Sequence, residues 1–159
     1  MSHGKSTDIS VREVSISFEP VPYRAPLKFG GRVVSSGWLV NAEVTVESRD
    51  GRRAGGFGSM PVGNVWAWPS AVLEPDQTER AMKEFSCEVG RLFQDSDICG
   101  HPLEIDAAAA AEYPQLATRT VAALGLPEAP PILAQLVSAS PVDAARSEEH
   151  TSELQSPCN

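Results

Sequence analysis

The stretch Gly37–Ser48, "GWLVNAEVTVES", decides the fold. Trp38, Val40, Ala42, Val44 and Val46 fall on one side of an extended chain, and Asn41, Glu43, Thr45 and Glu47 on the other. That two-residue period is the mark of a half-buried strand. Asp50-Gly51 follows, a pair that favours a tight hairpin with positive φ at both central positions. The return segment "RRAGGFGSM" (52–60) is a weak strand, because glycine packs nothing there and often marks a close backbone approach. On the N-terminal side, Val14, Ile16 and Phe18 alternate with Ser15, Ser17 and Glu19, which predicts another strand. Between these strands, "PVPYRAPLKFGG" (20–31) carries Pro20, Pro22, Pro26, Gly30 and Gly31 and predicts a loop. The first sixty residues therefore predict a three-stranded antiparallel meander with a long loop after strand one.

Past the strands, "PVGNVWAWPSAVLEP" (61–75) predicts a second loop, and the period then changes. Met82, Phe85, Val89, Leu92 and Phe93 share a helical face, and Asp76 with Glu79 resembles a capping box. "DSDICGHP" (95–102) breaks the chain. Residues 104–113 are helical by propensity, and Pro114 is expected to kink or divide that helix. The helix resumes over 115–124 and stops at Gly125, a natural residue for the left-handed position after a helix. A last helix opens near Pro131, with Ile132, Leu133, Leu136 and Val137 as its apolar stripe. It loses its pattern after Arg146, since Ser147–Asn159 holds one large apolar residue, Leu154. Strands first and helices afterwards argue an α+β fold.

A chain of 159 residues suits one domain with a real core. Its net charge is -8 and its Lys and Arg are scattered, which argues against nucleic acid or an anionic membrane as partner. Cys87, Cys99 and Cys158 have neither metal spacing nor an even count, so a reduced, cytoplasmic setting is expected. Residues 1–8 are polar, lack a signal-peptide core and are expected to be disordered. No apolar run reaches the length of a membrane span.

Chemistry-bearing motifs are sparse. "GGFGSMPVG" (55–63) lacks the Lys-Ser/Thr of a phosphate loop and runs into Met60-Pro61 instead of opening a helix. His3, His101 and His150 share no face, Asp95 and Asp97 lack calcium-loop spacing, and no Ser or Cys sits in a nucleophile elbow. Two loop clusters remain: Tyr23, Arg24, Lys28 and Phe29 in the first, Met60, Asn64, Trp66 and Trp68 in the second. Aromatics with a cation in glycine- and proline-bounded loops can line a ligand pocket, but spacing alone favours ordinary packing onto the sheet.

Three segments together, "YRAPLKFGGRVV" (23–34), "DGRRAGGFGSMPVGNVWAWPS" (50–70) and "PPILAQLVSASPVDAA" (130–145), resemble a known family. It is the N-terminal capping region of the mandelate racemase and muconate-lactonizing branch of the enolase superfamily. The likeness covers Ile9 to Ala145 and implies a cap of three strands and a helical bundle. In that family a separate (β/α) barrel, missing here, carries the catalytic residues and the Mg²⁺ that stabilises an enediolate after proton removal α to a carboxylate. The resemblance implies a carboxylate-bearing small-molecule substrate, the barrel as partner, and compatibility with a homo-oligomer. It makes Tyr23, Arg24, Lys28, Phe29, Met60, Asn64, Trp66 and Trp68 expected substrate-specificity residues, with no catalytic residue and no metal ligand in this chain. The alternative is a standalone α+β module that binds a ligand or protein through the same loops. The tail "RSEEHTSELQS" (146–156) resembles the in-frame translation of a common sequencing adapter, so 146–159 is expected to be foreign to the protein.

Overall fold

The computed structural model describes residues 7–29 and 31–152. His3, Leu154 and Cys158, with residues 1–6 of the expected disordered N-terminus and 153–159 of the expected tail, lie outside the described residues. Three strands, β1 (Ile9–Phe29), β2 (Arg32–Ser48) and β3 (Arg53–Pro61), form one antiparallel sheet in the order β1-β2-β3. Four helices follow: α1 (Asn64–Ala67), α2 (Pro75–Gln94), α3 (Pro102–Ala123) and α4 (Ile132–Ser152). The fold is α+β, a three-stranded meander with helices on one face.

β2 lies in the middle of the sheet and does what its period dictates. Val40, Ala42, Val44 and Val46 are buried beneath the helices, while Glu43 is exposed on the far side. The inner layer is completed by Phe85, Val89 and Phe93 from α2, Ile105, Tyr113 and Leu116 from α3, and Val142 and Ala145 from α4. Phe85 and Tyr113 meet edge to face at 5.9 Å. On the open face, Glu47 accepts from Arg53 at 2.6 Å and Arg12 at 2.8 Å. The Arg53 and Arg12 guanidiniums hold its carboxyl below the usual range.

Several details depart from the sequence expectations. Residues 20–29 are not a loop but the outer half of β1, paired with β2 as far as Phe29 opposite Arg32. β1 is an edge strand, where a proline's missing N–H costs no ladder bond on its free side. The disturbance is confined to a register shift between Pro22 and Leu27. The β2–β3 turn is not the double positive-φ type, because only Gly51, at φ 82°, is left-handed. Gly51 N donates to Ser48 O at 2.9 Å, and Ser48 Oγ is tied to Asp50 and to Arg52 O, which pins a three-residue loop. Asp8 is buried and bound to Arg49 at 3.0 Å, just before β1 begins.

The helix ends also differ. Pro75 takes the first turn of α2, so the cap is Glu74, whose N–H donates to Gln77 Oε1 at 2.9 Å, rather than Asp76 with Glu79. His101 is not a plain loop residue: its Nδ1 accepts from Leu103 N at 3.2 Å and caps α3. α3 runs through Pro114 undivided, because Ile105 and Ala109 before it and Leu116, Ala117 and Val121 after it are buried on one face. Gly125, at φ 66°, closes α3 as expected: Leu126 N donates to Val121 O at 2.9 Å and Gly125 N to Ala122 O at 3.1 Å. α4 continues past Arg146 to Ser152. Its expected apolar stripe is mostly outside. Ile132, Leu133 and Leu136 are exposed, and the inner face is Ala134, Val137, Ala139, Val142 and Ala145.

Candidate functional site: a cleft between the hairpin tip and the strand-to-helix connection

The outer half of the β1–β2 hairpin and the connection from β3 to α2 converge at one end of the sheet. Between them lies a cleft of about 480 Å³, walled by Tyr23, Leu27, Phe29, Trp38 and Trp66 with Arg32, Asn64, Asp76 and Glu79. That volume is within the usual range for a small-molecule site. A smaller neighbouring cleft of about 260 Å³ shares Phe29, Arg32 and Asn64 and reaches Trp68 and Ser70.

Two glycines set the aromatic walls. A Cβ on Gly37 would stand 2.5 Å from the Tyr23 hydroxyl, so the Tyr23 ring crosses β2 where no side chain obstructs it. Gly63 has φ 59°, and a Cβ there would lie 2.5 Å from the Trp66 indole, which folds back over it. Both rings are therefore positioned by backbone that only glycine supplies without a shift.

The polar groups divide into spent and free. Asn64 is buried, and its Nδ2 donates to Pro75 O at 2.9 Å and Thr78 Oγ1 at 3.1 Å. Trp68 is buried, and its Nε1 donates to Glu128 Oε1 at 2.6 Å. Ser70 Oγ donates to the other oxygen of Glu128 at 3.1 Å. These contacts lock the connection against the α3–α4 linker. Glu79 pairs with Lys83 at 2.8 Å, and the Lys83 ammonium sits 3.4 Å from the centre of a Trp38 ring.

Of the sequence-predicted residues, the structure thus brings Tyr23, Phe29, Asn64 and Trp66 to the main cleft and Trp68 to its neighbour. Met60 packs at the edge of the core cluster of Val40, Val62 and Trp68. Arg24 and Lys28 line neither cleft. Sequence reasoning missed Arg32, the cation lining both. It stands one residue past Gly31, at φ 82°, and pairs with Phe29 across the strand end, so a hairpin reading of 20–36 would have placed it opposite the aromatics.

Among the described residues no three His, Cys, Asp or Glu come together to hold a metal ion. None of the described helices is long and apolar enough to cross a membrane.

No protein-family model matches this sequence, and no curated protein matches it significantly. Three solved structures are similar to it. An enolase from Bradyrhizobium, complexed with magnesium and mandelic acid, is 18% identical, with a TM-score of 0.44 over 76% of this chain and 30% of that one. L-talarate/galactarate dehydratase from Salmonella typhimurium LT2 is 15% identical, with a TM-score of 0.45 over 94% of this chain and 32% of that one. A mandelate racemase/muconate lactonizing protein from Herpetosiphon aurantiacus is 13% identical, with a TM-score of 0.41 over 89% of this chain and 30% of that one. The chain spans about a third of the length of each.

Proposed function

We propose that residues 9–145 are the substrate-specificity capping region of a magnesium-dependent enolase-superfamily enzyme. The reaction would be of racemase, cycloisomerase or acid-sugar dehydratase type, beginning with proton removal α to a carboxylate. The observation that carries this reading is the convergence of two separate segments, 23–32 and 61–76, on one aromatic-walled cleft at one end of the sheet. A cap needs that arrangement: two segments closing over one substrate, with the scaffold behind them held rigid by Asn64, Trp68 and Glu128. The outer face of α4 adds support. Ile132, Leu133 and Leu136 are each half or more exposed, an apolar strip suited to the barrel as partner.

On this reading the chain supplies walls, a lid and charge selection, while base, acid and metal ligands belong to the barrel. Magnesium would supply stabilisation of the enediolate oxygens there. Closing the cleft excludes water and strengthens every charge interaction inside it. A cytoplasmic location and a foreign 146–159 tail belong to the same reading.

The second reading is a self-sufficient binding module that takes a ligand between the same aromatic walls. The surface of α4 separates the two. The cap reading expects the chain to bind a hydrophobic dye or self-associate, and Leu133→Gln with Leu136→Gln to abolish both. A clean monomer that binds no dye would favour the module.

A further inference from the structure

The two edges of the sheet are not alike. The β1 edge is guarded along its length: Ile9 bridges to Gly100, the register shifts at Arg12, and Pro20, Pro22 and Pro26 interrupt its outer half. Bridges, bulges and prolines of this kind keep an edge from pairing with another chain. The β3 edge has none of them over residues 53–59.

The unused hydrogen-bonding groups of β3 follow from its ladder. Ser48 N donates to Arg52 O and Val62 N to Trp38 O, both at 2.9 Å, so bonds to β2 fall on the even-numbered residues of β3. The N–H and C=O of Arg53, Gly55, Phe57 and Ser59 point the other way, and all four residues are exposed. No backbone bond among the described residues uses them. Phe57 is 52% exposed, and Gly55 beside it is bare, with nothing within 4 Å of an added Cβ.

The geometry points to a second copy of this chain as the occupant of the β3 edge, paired antiparallel about a two-fold axis at Phe57. That register sets Phe57 against its own copy, Gly55 against Ser59 and Arg53 against Pro61. Each outward N–H of β3 then meets a carbonyl, and Pro61, which has no N–H, ends the ladder. The two Phe57 rings become cross-strand neighbours, and each reaches over the bare Gly55 of the other copy. No like charges meet, because Arg53 faces Pro61 while Glu43 and Glu47 stand one strand further in. The guarded β1 edge leaves each copy one open edge, so pairing closes at a dimer and does not run on into a fibre. So short an edge buries less than about 1,200 Å², the size of a weak, transient contact. None of residues 53–60 lines either cleft, so the pairing is compatible with the capping reading and does not rest on it.

The test uses the whole chain carrying Leu133→Gln and Leu136→Gln, which removes association through α4. Sedimentation should show a monomer at about 10 μM, as the capping reading expects, and a dimer near about 1 mM, with a Kd on the order of 0.1 mM. Phe57→Lys should weaken that dimer at least about tenfold, and Ser15→Lys, on β1 opposite Glu43, should not. Both variants should keep the circular dichroism of the parent. Amide exchange reads the register: the N–H groups of Gly55, Phe57 and Ser59 should slow as concentration rises, and that of Gly58 should not. A monomer throughout this range, a dimer indifferent to Phe57→Lys, or assembly that grows past a dimer overturns the inference. So does exchange at Gly55, Phe57 and Ser59 that is slow at every concentration, the mark of an edge covered by another segment. Each of these results leaves the capping reading to its own test on the gene.

Discussion

Gly58 shows how much one residue can settle. A Cβ there would collide with the Pro141 carbonyl of α4 and approach Ala145 N at 2.9 Å. Helix backbone rests directly on strand backbone, and the glycine-rich return strand is the reason the two can touch. Gly58→Ala should destabilise the fold by about 2–4 kcal/mol, read from urea unfolding. Gly55→Ala, with nothing within 4 Å of its Cβ, should change stability by no more than about 1 kcal/mol. Arg146 is the opposite case. It is fully buried, stacked 4.9 Å from the Phe93 ring and bound to Asp106, yet its Nε and Nη1 have no partner. Burial lowers its pKa to about 10. A buried guanidinium with two orphan donors is a poor core residue. Arg146→Leu nonetheless leaves Asp106 and Asp143 without their cation, and should lower stability by about 1–3 kcal/mol in the same assay; a gain of that size would contradict the account. Its neighbour Asp143 is 3.6 Å from Nη2, but burial dominates and raises its carboxyl to about 6. A folded pKa above the ordinary 3.8 means the folded state prefers the proton. The stability Asp143 contributes is then full below pH 3.8 and lost as pH rises through 6. Compared with the parent, Asp143→Asn should gain thermal stability at pH 7.5 and lose that advantage by pH 4. An advantage independent of pH would refute this.

At the scale of elements, legibility followed the size of the buried side chains. β2 was plain because Trp38, Val40, Ala42, Val44 and Val46 alternate without a break. β1 was harder. Val11 and Val14 face the same core, although three positions apart, because a register shift at Arg12 and Glu13 puts both of those residues outside. α2 was legible in its face, since Met82, Phe85, Val89 and Phe93 are all buried, and its cap was displaced only by Pro75. α4 was misread for a physical reason. Its backbone lies so close to Gly58 that the apolar part of its inner face is built from Ala134, Ala139, Val142 and Ala145. The large residues that ordinarily signal a core were left outside. The α3 terminus was legible because Gly125 does what few residues can. Gly125→Ala should cost about 1 kcal/mol through its left-handed φ, checked by chemical denaturation. An unchanged midpoint would contradict that assignment.

At the scale of the molecule, the sequence pointed to two aromatic clusters, and the structure brings them to one end of the sheet. What the sequence did not carry was the division of labour within them. Asn64 and Trp68 are bound into the scaffold, Arg24 and Lys28 stand outside the clefts, and Arg32 stands inside. Proximity in sequence favoured Arg24 and Lys28, while the pairing of Phe29 with Arg32 across the hairpin favours Arg32. The central claim is that 9–145 caps a catalytic barrel encoded by the same gene. Sequencing that gene from independent genomic DNA, through codon 145 and beyond, tests it most directly. The account predicts a reading frame that departs from Arg146–Asn159 and continues into alternating strands and helices, with carboxylate metal ligands at successive strand ends. A frame that preserves 146–159 and then stops would contradict it.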